Sequence, residues 1–262
     1  KGGRTCHAAI VTRELGINAI VGTLNCTDKL LDGMNITINC SEGEIGKIHN
    51  GILPFDIITT KIDTNKVLPL QLMLNVGSPE IAFSAAKMPN SGVGLARLEF
   101  IINNHIGIHS KAILNIDKLD KSTQLLINKK ICNNEPREFF IKQLARGIAK
   151  TASAFYPNLV INRLTDFKTN EYRNLLGGDI FEPIEENPMI GWRGASRYYN
   201  KDYIECFEME CEAIRYAREN MGMDNIAIMI PFCRTPEECK NVIDLLALNG
   251  LYSGMGATRG FK

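Results

Sequence analysis

The chain has 262 residues, of which 45% are hydrophobic and 23% charged, a composition typical of a globular protein. Its formal net charge of +1 gives no reason to expect nucleic acid or an anionic membrane surface as a partner. No apolar run approaches the ~18 uninterrupted residues that a membrane helix needs, and no opening segment has the pattern of a signal peptide.

The first residues predict a helix that begins in an anion-binding cradle. Thr5 is a good N-cap for a helix over residues 7–15, and Gly2 and Gly3 allow close backbone approach ahead of it. His7 would lie in the first turn, where free N–H groups favour an anion. From these residues alone, His7 is either a carrier of phosphate or a solvated histidine near a helix start.

Residues 1–50 form one compositional unit, a small β/α piece too short to be a comfortable domain alone. Short strands are predicted over residues 18–23, 34–39 and 45–49. Residues 51–69 contain prolines and lack sustained periodicity, which predicts a linker.

From residue 70 onward, strand and helix patterns alternate. Strands are predicted over residues 70–76, 93–98, 159–164 and 226–231, and helices over residues 78–87, 136–155, 207–221 and 236–250. Repeated strand–helix units indicate an α/β fold with a parallel sheet, either doubly wound or part of a barrel. Periodicity alone does not choose between these two architectures.

Arg97 and Arg163 stand at the ends of two predicted strands, where α/β enzymes place their ligands. A guanidinium group binds carboxylate or phosphate through two parallel hydrogen bonds. Each arginine is therefore a candidate for an anion site, although a lone arginine at a strand end is more often part of a rim ion pair.

The eight cysteines do not form a zinc pattern, because the chain has no Cys-x-x-Cys pair and no histidine near Cys206 and Cys211. Free cysteine in a helix or strand behaves as a small apolar residue. We therefore expect a reduced, cytoplasmic protein, with no metal site in these residues.

Long motifs resemble the phosphoenolpyruvate (PEP)-utilising enzymes, a family that transfers phosphoryl groups. The opening KGGRTCHAAIVTRELGINAIVGT resembles the family's phosphohistidine signature, and further matches cover Asn75–Pro79, Gly92–Phe100, Arg163–Tyr172 and Glu185–Ala195. Within the family, TCHAAI is most similar to the PEP synthase branch, because related branches more usually carry Ser at the position of Cys6. The resemblance covers nearly the whole chain.

The resemblance implies a two-part architecture. Residues 1–50 would be the C-terminal part of a swivelling β/α phosphohistidine domain, residues 51–69 its linker, and residues 70–262 the first four β/α units of a TIM (β/α)₈ barrel. Both parts would be truncated, and residues 253–262 depart from the family pattern. Such a half-barrel is expected to be poorly soluble and inactive when expressed alone.

The resemblance also implies a reaction, in which pyruvate, ATP and water give PEP, AMP and phosphate. His7 would carry the phosphoryl group, and Arg97 and Arg163 would hold the anionic groups of the substrate. Thr5 and Arg193 would support the site, although a structural ion pair is about as good an account of Arg193.

The implied cofactors and partners lie partly elsewhere. The Mg²⁺ ligands, and the cysteine that acts as the acid toward the enolate, would follow residue 262. The ATP-binding domain would precede residue 1. The full-length enzyme would be a homodimer. The alternatives are pyruvate, phosphate dikinase, an Enzyme I-type phosphocarrier, and an inactive fragment.

Overall fold

The computed structural model describes residues 2–3, 6, 8–9, 12, 17–43, 45–60, 69–132 and 134–252. The chain divides by its internal contacts into two compact units, Lys1–Asp63 and Thr64–Lys262. Thr5, His7, most of the helix predicted over residues 7–15, and the tail 253–262 lie outside the described residues.

The first unit contains a short helix and an antiparallel hairpin. Its elements are α1 (Cys26–Lys29), β1 (Ile36–Asn39) and β2 (Lys47–Asn50). Ile36 lies opposite Asn50 and Asn39 opposite Lys47, so the two predicted strands of this region are confirmed.

The strand predicted over residues 18–23 is wrong. The segment forms no ladder with any other described residue, and Gly22 has a φ of +74°, outside the strand region. Its apolar composition is that of a strand, but a strand also requires a neighbour with which to exchange backbone hydrogen bonds.

The second unit alternates strands and helices. Its elements are β3 (Leu74–Val76), α2 (Ala82–Ala85), β4 (Gly92–Arg97), α3 (Leu98–Ile101), α4 (Ser110–Leu114), α5 (Lys121–Ile131), α6 (Pro136–Phe155), β5 (Leu159–Arg163), α7 (Thr169–Arg173), α8 (Ala195–Tyr198), α9 (Ile204–Glu219), β6 (Ile226–Met229) and α10 (Pro236–Leu248). A π-helical turn, Ile102–Ile106, continues α3, and 3₁₀ turns occur at Pro79–Ile81, Ile116–Lys118 and Gly178–Ile180.

The second unit has a parallel sheet whose strands follow the order of the chain, β3-β4-β5-β6. This confirms the predicted α/β fold with a parallel sheet. A doubly wound sheet reverses its order near the middle, whereas a barrel adds each strand beside the previous one. The observed order therefore favours the barrel arrangement.

Helices α6 and α10 begin at the residues that the sequence predicts, each with Pro at its first position. The carboxylate of Glu135 accepts from the N–H groups of Arg137 and Glu138 at the start of α6, and Thr235 caps α10 by accepting from the N–H of Glu238. The apolar stripes of α6 and α9 are buried in one cluster that includes Phe140, Leu144, Ile148, Phe207, Cys211 and Ile214.

Two predictions for this unit were less accurate. The first strand is shorter than predicted, since Leu70 and Leu72 are exposed and only Leu74–Val76 pair with β4. The helices between residues 98 and 131 were not predicted, because most are too short to show a periodic stripe.

None of the helices formed by the described residues is both long and apolar enough to cross a bilayer.

Candidate functional site

Two arginines lie side by side at one edge of the sheet. Arg97 ends β4, Arg163 ends β5, and the two residues are register partners. Because the strands are parallel, both side chains start from the carboxyl edge, where α/β proteins bind their ligands. They line one cavity of about 360 Å³, together with Glu99, Phe100, Asn103, Asp166, Phe167, Lys168, Glu171 and Arg193.

Arg163 is partly neutralised by its neighbours. Its Nη2 donates to Glu99 Oε1 at 2.7 Å, and its Nη1 lies 3.6 Å from Asp166 Oδ2. The Nε of Arg163 and the Oε2 of Glu99 are buried, and neither finds a hydrogen-bond partner among the described residues. One donor of the guanidinium is therefore unused.

Arg97 differs in having no ion-pair partner among the described residues. Its side chain is exposed, and it forms no hydrogen bond or ion pair with the described part of the chain. Its planar donor fork is therefore available to an anion that enters the cavity.

Arg193 reaches the same cavity from a loop and is fixed by a carboxylate. Its Nε donates to Asp166 Oδ1 at 2.8 Å and its Nη2 to Asp166 Oδ2 at 2.7 Å, while the guanidinium carbon lies 4.7 Å from the centre of the Phe232 ring. The hydrogen bonds with Asp166 raise the pKa of Arg193 above its ordinary value. Arg193 thus forms the ion pair that was one of its two predicted interpretations.

A glycine allows this loop to approach the segment that follows β6. Gly194 follows Arg193 with a φ of +61°, and a Cβ at this position would lie 2.6 Å from the carbonyl oxygen of Pro231. The N–H of Ala195 donates to that same carbonyl at 3.1 Å. A larger residue at position 194 would therefore displace the backbone that carries Arg193.

Four acidic or basic residues at the cavity were not predicted as site residues from the sequence: Glu99, Asp166, Lys168 and Glu171. Glu99 Oε1 accepts from both Arg163 and the backbone N–H of Asp166, the latter at 2.7 Å. Lys168 lies beside Glu171, with Nζ 3.1 Å from Oε1. A usable signal was present, because Glu99 and Asp166 follow the two strand-end arginines by two and three positions.

A buried ion pair holds the ends of the loop that carries Arg193. Arg197 donates from Nη1 and Nη2 to the two oxygens of Glu182, at 2.6 and 2.7 Å, and both side chains are almost fully buried. Nη2 of Arg197 also donates to the carbonyl of Trp192 at 3.0 Å. We call Glu182, Arg197 and His109, whose Nε2 lies 2.9 Å from Glu182, the loop clamp.

Two residues of the loop clamp, Glu182 and His109, have pKa values below their ordinary values. Burial would raise the pKa of Glu182, but hydrogen bonds from Arg197 and His109 outweigh it and hold the pKa below its ordinary value. Burial lowers the pKa of His109 even though Glu182 is adjacent. Nδ1 of His109 accepts from the N–H of Lys111 at 3.1 Å, which identifies Nε2 as the protonated nitrogen of the neutral ring.

The described residues do not fit a Mg²⁺ site. No group of three or more His, Cys, Asp and Glu side chains comes together among them as a metal site. At the cavity, both oxygens of Asp166 and Oε1 of Glu99 are already engaged by arginine donors or a backbone N–H.

The first unit has a different kind of cavity. It measures about 1040 Å³ and is lined by residues 17–23 together with Gly3, Ala9, Thr12, Cys40, Gly43, Ile45, Gly46 and Ile48. None of its described lining side chains is charged. The described lining of this cavity therefore differs from the arginine-lined cavity of the second unit.

Most of the chain matches models of known protein families. Residues 56–249 match the family model described as PEP-utilising enzyme, PEP-binding domain, and residues 1–43 match PEP-utilising enzyme, mobile domain. The chain belongs to the PEP-utilising enzymes. The resemblance predicted from the sequence motifs is thereby confirmed.

The chain is also similar in sequence to individual PEP-utilising enzymes. The chain is 51% identical to phosphoenolpyruvate synthase of Pseudomonas aeruginosa and 49% identical to that of Escherichia coli, in each case over 97% of this chain and 32% of the relative. It is 38% identical to a probable phosphoenolpyruvate synthase of Staphylothermus marinus, over 97% of this chain and 30% of the relative. The chain thus spans about a third of the length of the curated relatives it matches.

Proposed function

We propose that this chain is part of a phosphotransferase that makes PEP from pyruvate, ATP and water, with AMP and phosphate as the other products. Its second unit would bind pyruvate and PEP, and its first unit would carry the phosphoryl group. The names of the relatives support the reaction, and the arginine-lined cavity supports the substrate class.

The observation that carries the proposal is the convergence of cationic side chains in one cavity. Arg97, Arg163, Lys168 and Arg193 all line it, at the carboxyl edge of a parallel sheet. PEP has a carboxylate and a phosphate, each of which matches the donor fork of a guanidinium. We propose that Arg97 and Arg163 bind these groups, and that Arg193 supports the site through Asp166.

His7 is the proposed phosphoryl carrier. Neutral imidazole is the nucleophilic form, and with a reference pKa of about 6.5 most of a histidine is neutral near pH 7. Transfer through a covalent phosphohistidine divides the reaction into two steps. In the first, water releases the γ-phosphate of ATP as phosphate, an imidazole nitrogen bonds to the β-phosphorus, and the bond from that phosphorus to AMP breaks. In the second, pyruvate loses a methyl proton, its enolate oxygen bonds to the phosphorus, and the nitrogen–phosphorus bond breaks to return free His7. Thr5 would cap the helix that begins at His7.

Further parts of the proposal concern groups outside the described residues. ATP would bind in a separate domain of the full-length protein, and Mg²⁺ would neutralise phosphate charge with ligands other than the carboxylates described above. We also propose a cytoplasmic location and a homodimer for the full-length protein.

The test is pyruvate-dependent formation of AMP from ATP by the full-length protein. We expect activity in the parent protein, its loss in His7→Ala, and a large rise in the KM for pyruvate in Arg97→Gln. Activity that survives His7→Ala would remove the phosphohistidine mechanism. A requirement for inorganic phosphate would instead indicate pyruvate, phosphate dikinase, and transfer from PEP to a protein would indicate an Enzyme I-type phosphocarrier.

A further inference from the structure

A buried carboxylate near the cavity has no cationic partner in the part of the chain that the structure describes. Glu210 lies on α9 and is 3% exposed. Its Oε1 accepts from the backbone N–H of Thr165 at 2.8 Å, and its Oε2 accepts from the Thr165 hydroxyl at 2.7 Å. No Lys, Arg or His within the described ranges pairs with it. A charged group in such a place is costly and calls for a compensating role.

Thr165 occupies the segment that organises the site. It lies between Arg163, which ends β5, and Asp166, which holds Arg193. Its carbonyl accepts from the Tyr198 hydroxyl at 2.6 Å. The next residue, Asp166, donates its N–H to Glu99, which also accepts from Arg163. A displacement of Thr165 would therefore shift two of the arginines that line the cavity.

We infer that Glu210 is a positioning residue that holds Thr165, and through it the segment 163–166, in the geometry that binds the anionic substrate. This inference rests on the proposed function of the cavity as a PEP site. Glu210 does not line the cavity, so its influence passes through the two hydrogen bonds to Thr165.

The ionised form of Glu210 is the one that fits this role. The Thr165 oxygen Oγ1 accepts from the Tyr172 hydroxyl at 3.3 Å, so its own proton must be donated to Glu210. A carboxylate accepts from both the N–H and the O–H of Thr165. A protonated carboxyl or an amide accepts from the Thr165 N–H, but toward Oγ1 it must act as the donor, so the Thr165 hydroxyl loses the acceptor of its own proton. Loss of the charge therefore leaves one of the two donors of Thr165 without its acceptor.

The charge of Glu210 changes near neutral pH. Burial raises the pKa of Glu210 to about 7, hydrogen bonds from Thr165 oppose that rise, and the negative charge of Glu99 adds to it. The other ionisable groups that interact with Glu210 are Tyr172, Tyr198, Tyr203 and Cys211. Burial raises the pKa of each of them, so they remain uncharged near neutral pH.

The experiment measures the Kd for PEP by calorimetry in the full-length protein, at constant Mg²⁺, between about pH 6 and pH 9. We expect Glu210→Gln to raise the Kd about tenfold at pH 8, because the site is sensitive to small displacements. The ratio of variant to parent Kd should fall toward one as the pH drops below about 7. Ionisation of the PEP phosphate is common to both proteins and cancels in this ratio.

Two further variants separate positioning from a loss of folding. Thr165→Val removes the hydroxyl and should reproduce the effect of Glu210→Gln, whereas Thr165→Ser keeps it and should bind PEP as the parent does. The double variant Glu210→Gln, Thr165→Val should be no worse than either single variant. The matched control is Glu212→Gln on the same helix, whose carboxylate is half-exposed and pairs with Arg137.

The outcomes are distinct. A Kd that is unchanged or lower in Glu210→Gln, with binding still dependent on Arg97, would overturn the positioning role and leave the proposed function intact. Simple removal of a negative charge near an anion site would lower the Kd. If the parent protein does not bind PEP, the proposed function itself fails. If Glu210→Gln does not fold, the comparison of Thr165→Val with Thr165→Ser decides, and equal Kd values there refute the inference.

Discussion

Arg97 and Arg163 are neighbours in register on adjacent parallel strands, yet only Arg163 is neutralised by acidic side chains. Glu99 and Asp166 both approach Arg163, whereas Arg97 has no ionic partner within the described segments. The pair therefore combines a fixed cation with an uncompensated one. This asymmetry separates residues that serve binding from residues that also serve stability.

Arg97→Gln should weaken PEP binding with little effect on folding. A hydrogen bond to a charged group contributes about 1.5–3 kcal/mol, so the Kd should rise about 10- to 100-fold. Because Arg97 is exposed and unpaired in the described structure, the urea midpoint should change little. Calorimetric titration with PEP and urea unfolding check the two expectations.

Arg163→Gln is the comparison variant, and it should lower both affinity and stability because it leaves Glu99 buried without its cation. Equal losses of stability in the two variants would contradict the assignment of different roles.

Asp166→Asn should release Arg193 from its bidentate contact. Both side chains are largely buried, so an unpaired guanidinium there should cost about 2–3 kcal/mol of unfolding free energy. Hydrogen–deuterium exchange of residues 189–196 should accelerate in the variant. Asp224→Asn, an exposed position, is the control and should leave both measurements unchanged. Unaltered exchange in Asp166→Asn would show that Gly194 and Phe232 hold the loop without the ion pair.

Arg197→Met tests the loop clamp. Removal of one partner from a buried ion pair costs about 3–5 kcal/mol, because the remaining charge loses its compensation. Glu182 is fully buried, so urea unfolding should show a loss in this range. Arg137→Met is the matched control, since its ion pair with Glu212 is exposed and should contribute about 0–1 kcal/mol. A loss of similar size in both variants would refute a special role for the clamp.

The pH dependence of stability should report His109. Its pKa in the folded protein lies below the unfolded value of 6.5, so the unfolded chain binds a proton first as the pH falls. The contribution of His109 is therefore fully present above about pH 6.5 and is lost as the pH drops toward its folded pKa. The free energy of unfolding that the parent protein gains over His109→Gln should therefore fall as the pH drops from about 6.5 to about 5.

The control for this measurement is His105→Gln, because His105 is exposed and pairs with Glu80 at the surface. Its curve should keep the slope of the parent protein. Parallel curves for the parent protein and His109→Gln in this interval would show that His109 does not stay neutral in the folded state.

The sequence predicted the elements whose signals are local. Helix α6 begins and ends at the predicted residues, because Pro136 and the cap at Glu135 act within one turn and its apolar stripe is regular. The common edge of Arg97 and Arg163 also followed from the sequence, since parallel strands bring their carboxyl ends together.

The remaining features depend on contacts between distant residues. Glu210 occupies a helix otherwise rich in charge, and its burial arises only where α9 packs beneath Thr165. Glu182 and Arg197 are separated by an irregular loop, so no periodicity links them. Residues 18–23 have the composition of a strand but do not form one, because no described segment pairs with them.

The sequential order of the parallel sheet has a consequence for folding during synthesis on the ribosome. Each strand pairs with the strand made just before it, so β4 meets β3 and β5 meets β4 without waiting for later chain. Synthesis from the N-terminus can therefore be accompanied by stepwise assembly of the sheet. The arginine pair is complete as soon as β5 has docked on β4, before β6 is made.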